Sequence, residues 1–258
     1  MGWTQVHVTA TMMVILIGLG FLAGFIDSAV GGGGLISLPA LMFSGLPPAA
    51  AVGTNKIIGA AGSFTSTLIF RRSGKINLKL LRYLMPFTVV GALLGAWAVT
   101  QISSNVLKPL MLILLAAVLV YTIWHRNWGA KSTFKQLTGW HWVGFALVIG
   151  ALGFYDGFIG PGVGSFLIFA FLSLGFDFLG AAGNAKLLNL TSNVVSLILF
   201  IVLGHVHFLI GLPMGVASVI GSFLGARITL KMGTQFIRVI FIGMTLILLL
   251  KNTWDYFH

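Results

Sequence analysis

Hydrophobic residues run in long blocks along this chain, broken by short glycine-rich or basic stretches. Apolar segments occupy residues 11–30, a shorter 35–46, then 50–70, 82–100 and 107–124. The same order returns at 142–159, a shorter 164–175, 181–203, 208–228 and 236–250. Blocks of about 20 residues match the hydrocarbon thickness of a bilayer, so the pattern predicts an all-α integral membrane protein with about eight long transmembrane helices. The two short blocks, 35–46 and 164–175, reach only about 18 Å as helix and are expected to be half-helices or re-entrant arms.

The two series are an internal repeat. An offset of 129 or 130 residues carries Asp27 onto Asp156, Gly31 and Gly33 onto Gly160 and Gly162, and Lys56 onto Lys186. It also carries Gly74 onto Gly204 and the pair Gly91/Gly95 onto Gly221/Gly225. The polar stretch Trp124–Trp140 has a tryptophan at each end, as interfacial segments do. The expected organisation is therefore a first transmembrane repeat at 1–124, a cytoplasmic linker at 125–140 and a second transmembrane repeat at 141–258.

Basic residues give the orientation. If each long and short segment pair forms a hairpin, eleven Lys and Arg side chains share one side, against Lys108 and Lys251 opposite. If each pair crosses only once, the split weakens to nine against four. Positive charge is retained on the cytoplasmic side, so the hairpin arrangement is favoured, and it makes the two repeats inverted. Inverted repeats with paired broken helices suit alternating access.

Composition narrows the function classes. Of 258 residues, 58% are hydrophobic and 7% charged, with a mean hydropathy of +1.04, far from the roughly 25% charged residues of a soluble domain. A soluble enzyme and a nucleic-acid binder are excluded on this ground. The net charge of +11, from 15 Lys and Arg against four Asp and no Glu, lies mostly in short loops and needs no nucleic-acid partner. No Lys or Arg precedes the apolar stretch 12–26, so a cleaved signal peptide is not expected. The chain has no cysteine, which removes thiol redox chemistry and thiolate metal sites. No Gly-x-x-x-x-Gly-Lys-Ser/Thr loop occurs, so ATP-driven pumping by this chain alone is not indicated, and neither cofactor nor metal is expected. Nothing in the pattern sets an oligomeric state.

Four residues carry the candidate chemistry. Lys56 and Lys186 sit early in predicted spanning helices, where an ammonium costs several kcal/mol unless paired or hydrated. They fit two readings: cations facing a midplane cavity that holds an anion, or structural partners of aspartates. Asp27 and Asp156 each precede a glycine cluster and fit either proton coupling or charge pairing with the lysines. The clusters Gly31–Gly34 and Gly160–Gly164 cannot continue a helix well. Such breaks expose backbone N–H groups at the start of the following half-helix, where an anion is favoured. Gly32, Gly33, Gly34, Gly162 and Gly164 are accordingly candidate binding residues; close helix packing is the alternative. Thr54, Asn55, Asn184, Asn189 and Asn193 lie on the helices of the two lysines and would either orient the ligand or join helices. His205 and His207 form no metal set. Arg227 reads as an interface anchor, and Asp177 as a loop charge.

Four blocks in order carry a family resemblance. The first half has Gly31-Gly32-Gly33-Gly34-Leu35-Ile36-Ser37-Leu38-Pro39, then Ala51-Val52-Gly53-Thr54-Asn55-Lys56. The second has Gly153-Phe154-Tyr155-Asp156-Gly157-Phe158-Ile159-Gly160-Pro161-Gly162-Val163-Gly164, then Ala185-Lys186-Leu187-Leu188-Asn189-Leu190-Thr191-Ser192-Asn193. Over residues 12–250 the chain resembles the TauE/SafE sulfite-exporter family of membrane transporters. The resemblance implies a multi-pass permease of the bacterial inner membrane, acting on sulfite, sulfonates or related anions. Residues and resemblance together point to a secondary transporter of a small, sulfur-containing anion bound between the repeats, with a proton or sodium as coupling ion. An anion channel is the alternative, since the same cations and glycines would select ions in an open pore. An intramembrane aspartyl protease fits less well, because Gly24-Phe25-Ile26-Asp27 lacks the Gly-x-Gly-Asp pattern.

Overall fold

A computed structural model of the chain describes residues 9–107, 109–113, 134 and 139–232. Among these residues all regular structure is helical. The elements are α1 (Ala10–Val30), α2 (Gly34–Phe43), α3 (Pro48–Arg72) and α4 (Leu78–Thr100), then a short α5 (Ser104–Ile113). They continue with α6 (Gly139–Phe158), α7 (Val163–Ser173), α8 (Phe178–Val202) and α9 (Phe208–Met232).

Local chemistry sets the helix ends. Thr9 caps α1 by accepting from the Met12 N–H, Asn77 caps α4 through Leu80, and Asp177 caps α8 through Gly180. Pro48 opens α3, where its missing N–H costs nothing. Gly31 ends α1 in the left-handed region at φ 80°, a conformation that side chains with a Cβ resist.

Among the described residues five helices, α1, α4, α6, α8 and α9, are long and apolar enough to cross a membrane. The sixth long helix, α3, is not among them, because it carries Thr54, Asn55, Lys56, several serines and Arg71/Arg72 within 25 residues. The short helices α2 and α7, of 10 and 11 residues, match the expected short segments. The predicted segment 107–124 meets α5 at its start. Its remainder, the segment 236–250 and almost all of the linker 125–140 lie outside the described residues.

The aligned elements pack reciprocally across the two halves. The largest interfaces join α1 to α9 and α4 to α6, so each half supplies one helix to the other's seam. Small residues bring these seams together. A Cβ at Gly91 or Gly95 would lie 2.1 or 2.0 Å from the carbonyl oxygens of Gly150 and Phe154. At Gly221 and Gly225 it would lie 2.0 and 2.2 Å from those of Phe21 and Phe25. Large apolar side chains such as Val14, Trp97, Leu147, Leu209 and Val216 point outward, as a lipid-facing surface requires.

Most of the buried apolar core divides into two clusters. One gathers Leu38, Leu41, Val52, Phe200 and Met214; the other gathers Phe70, Leu84, Phe145, Phe171 and Leu188. Along α8 the polar residues Asn189, Ser192, Asn193 and Ser196 fall between Leu188 of one cluster and Phe200 of the other. A polar cavity lined by Asn189 and Asn193 lies in this layer.

Candidate functional site

The two helix breaks meet back to back. The Ser165 N–H donates to the Gly31 carbonyl at 3.0 Å, and the Ser165 hydroxyl donates to the Val30 carbonyl at 2.7 Å. A Cβ on Gly31 would come within 2.3 Å of the Gly164 backbone, and one on Gly164 within 2.5 Å of Gly31 Cα. The α1/α2 break and the α6/α7 break therefore touch through bare backbone.

On either side of this crossing lies a buried ion pair, and both pairs join opposite halves. Lys56 Nζ from α3 sits 2.8 Å from Asp156 Oδ1 on α6, and also donates to the Asp156 carbonyl. Lys186 Nζ from α8 sits 2.8 Å from Asp27 Oδ2 on α1, and also donates to the Asp27 carbonyl. Each lysine thus takes both a carboxylate and a backbone oxygen at the C-terminal end of a broken helix, where the helix dipole also favours a cation. Both ammonium groups are sealed, Lys56 at 1% and Lys186 at 0% exposure. Removing either partner of such a pair leaves an uncompensated buried charge.

Between the pairs is a small polar cavity. It leaves about 30 Å³ for the centres of water molecules, room for about two waters. Asp27, Asp156, Asn55, Asn189 and Asn193 line it, with Ser37, Ser218 and the glycines 31, 33, 34, 160 and 162. The N-termini of α2 and α7 open beside it. Asn55 Oδ1 accepts from Ser37 Oγ at 2.5 Å, and the Asn193 amide donates to the Asn189 carbonyl at 2.7 Å.

The candidate residues therefore separate into three groups. Asp27, Asp156, Asn55, Asn189, Asn193, Gly33, Gly34 and Gly162 line the cavity. Lys56 and Lys186 stand behind the aspartates, and Gly32 and Gly164 are also away from the lining. Thr54 and Asn184 make a matched pair of clasps elsewhere. Thr54 Oγ1 accepts from the His207 N–H at 2.9 Å, and Asn184 Oδ1 accepts from the Asn77 N–H at 2.7 Å. Each captures an N–H just before a helix of the other half, α9 or α4, that the helix itself leaves unpaired. Asp177 caps α8 and approaches Lys75 at 3.7 Å. Arg227 lies 4.0 Å over the Phe223 ring.

Sequence reasoning does not single out Ser37, Ser218, Gly59 and Gly62 on the cavity wall. For the two glycines a signal exists: the repeat places them opposite Asn189 and Ser192.

Apolar spans outside, a polar layer inside and charge pairs bridging two similar halves define a multi-pass helical membrane protein built around an ionic centre. The chain belongs to the TauE/SafE family: the pattern described as "Sulfite exporter TauE/SafE" matches residues 16–252. It is 35% identical over 251 residues to a "Probable membrane transporter protein" of Haemophilus influenzae, covering 96% of this chain and 97% of that one. It is 36% identical over 250 residues to "Probable membrane transporter protein YfcA" of Escherichia coli K12, covering 96% and 92%. To "Probable membrane transporter protein YunE" of Bacillus subtilis it is 27% identical over 254 residues, covering 88% and 92%. No solved structure matches the chain.

Proposed function

We propose that this protein is a secondary permease of the bacterial inner membrane that carries a small anion, sulfur-containing and of the sulfite or sulfonate class, through the polar cavity between two inverted halves. The observation that carries this reading is the crosswise pairing of Lys56 with Asp156 and of Lys186 with Asp27 around that cavity. Each pair spans the two halves, so a rocking of one half against the other bears directly on the charge pairing. A substrate anion competes with a carboxylate for a lysine, and the N-terminal N–H groups of α2 and α7 add donors for its oxygens. Asn55, Asn189 and Asn193 orient it. The sulfur class rests on the family's description as sulfite exporters. A proton or sodium ion supplies the driving force, and the basic loop 71–82 faces the cytoplasm.

The cavity has room for only about two waters, so it must widen to admit a tetrahedral or pyramidal oxyanion. The test is thermal stability of the purified protein in detergent across sulfite, sulfate, thiosulfate, sulfonates, phosphate, chloride and carboxylates. A ligand at about 100 times its Kd adds about 2.7 kcal/mol. Selective stabilisation by a sulfur oxyanion, abolished in Lys186→Gln, is the expected result. Equal response to all anions, or none, removes the sulfur assignment, and currents of channel magnitude in planar bilayers remove the carrier.

A further inference from the structure

The two ion pairs are equivalent by position and unequal by surroundings. Asp156 is 2% exposed and saturated: Oδ1 meets Lys56, while Oδ2 accepts from Asn189 Nδ2 at 3.0 Å and from Ser192 Oγ. Asp27 has a 16% exposed side chain; Oδ2 meets Lys186, and among the described residues Oδ1 accepts a single long 3.3 Å bond from the Gly33 N–H. The cause lies in two residues. The positions that hold Asn189 and Ser192 in α8 hold Gly59 and Gly62 in α3, by the same offset of 130 that relates Lys186 to Lys56. Neither glycine can donate, and both border the cavity beside Asp27. A Cβ at Gly59 would lie 2.5 Å from Asn193 Oδ1, and one at Gly62 2.6 Å from Ser218 Oγ, so a larger residue there would have to displace those side-chain ends.

We propose that the pairs divide the work: Lys56–Asp156 is a permanent strut, and Lys186–Asp27 is the pair that opens, with Asp27 binding a proton as the transported anion takes its place on Lys186. This rests on the permease reading above. Three side-chain donors, Lys56, Asn189 and Ser192, hold Asp156, whereas Asp27 has Lys186 and one long backbone bond and is partly open to the cavity, so it is the carboxylate free to leave its lysine. The charged groups around Asp27 are few. From α8 comes Lys186; across the cavity, at the end of α6, stands Asp156 with Lys56 of α3 turned onto it. From α2, α7 and α9 the lining receives only Ser37, Val163, Ser218 and glycine.

The step balances. A proton from the bulk solution, relayed by water in the cavity, binds Asp27, the Asp27–Lys186 contact breaks, and one negative charge of the anion replaces the carboxylate on Lys186. A monoanion and a proton therefore move together and the cycle carries no net charge. A dianion carried with the same proton moves one negative charge.

The experiment uses the full chain in liposomes, with methanesulfonate and sulfite as probes and with Asp27→Asn and Asp156→Asn alongside. In the unaltered protein, methanesulfonate uptake is expected to respond to a pH gradient, to take up one proton per anion, and to ignore an imposed membrane potential. Asp27→Asn is expected to retain anion exchange and lose accumulation driven by the pH gradient. Asp156→Asn is expected to lower the Tm, with whatever flux survives still proton-driven. Potential-dependent methanesulfonate uptake in the unaltered protein overturns the proposal without any variant. So does undiminished proton-driven accumulation in Asp27→Asn, although anion exchange in the same vesicles leaves the permease reading standing. Flux of both probes no higher than in protein-free vesicles overturns both.

Discussion

The clasps at Thr54 and Asn184 and the pairs at Asp156 and Asp27 are both repeated features of this molecule, and they have fared differently. The clasps are near copies: a side-chain oxygen on α3 or α8 takes the N–H just ahead of α9 or α4, at 2.9 and 2.7 Å. Thr54 and Asn184 differ in chemistry, yet either oxygen does the job. The ion pairs have the same lysine and aspartate and the same 2.8 Å contact, yet their surroundings have diverged. Framework contacts tolerate changes of residue type so long as an acceptor stays in place. At the centre, identical residues sit in different hydrogen-bonding surroundings, set by their neighbours at 59, 62, 189 and 192.

The largest effect that tests this contrast is charge removal at the sealed pair. Lys56→Gln or Asp156→Asn alone strands a buried charge and is expected to cost about 3–5 kcal/mol, and the double variant to recover most of it. Asp27→Asn, at the partly open pair, is expected to cost less. Thermal unfolding in detergent reads all four proteins, and equal losses at both aspartates would break the comparison. The clasps come next. Thr54→Val and Asn184→Leu each leave a backbone N–H without its acceptor and are expected to cost about 1–3 kcal/mol. If the clasps are equivalent, their Tm shifts agree; a shift confined to one would show that only that clasp bears load.

The smallest effect concerns the loops that follow α3 and α8. The first carries Lys75, paired at the surface with Asp177, while the second carries His205, whose imidazole burial pushes below its ordinary value of 6.5. Its charged form is disfavoured in the folded loop, so the unfolded chain binds the proton more readily. Stability is therefore undiminished above about pH 6.5 and falls as pH drops through and below that value. His205→Gln is expected to flatten this acid-side slope of Tm against pH, and Lys75→Gln to leave it unchanged.

Much of the scaffold was legible in the apolar blocks. The segments 11–30, 142–159 and 181–203 lie within about three residues of α1, α6 and α8, because lipid demands long apolar runs and glycine breaks end them visibly. The short α2 and α7 followed from the same signal. The offset of 129 or 130 also marked the aspartates and lysines that form the two buried ion pairs, since charge inside an apolar helix stands out. What the pattern did not contain was partnership. An offset relates Lys56 to Lys186 and Asp27 to Asp156, but it says nothing about whether each lysine turns to the aspartate of its own half. Nor did it show that the lysines stand behind the cavity rather than on it, because a side chain of four methylenes can reach either way. Thr54 and Asn184 resembled ligand residues by their place two positions before the lysines, while their oxygens serve the adjacent helix starts. Gly59 and Gly62 carry no such signal of their own because a gap beside a charge is written as an absence of side chains.

The crosswise pairing also sets a timetable for the ribosome and the insertion machinery. Lys56 finds its partner 100 residues downstream, and Asp27 finds Lys186 159 residues downstream. At about 5–20 residues per second of synthesis, the first-made half spends roughly 5–20 s with Lys56 unmatched. Asp27 waits longer still. The nascent helices α1 and α3 must keep those charges wet or shielded until the later ones arrive, so the folding unit of this protein is the pair of halves and never one alone.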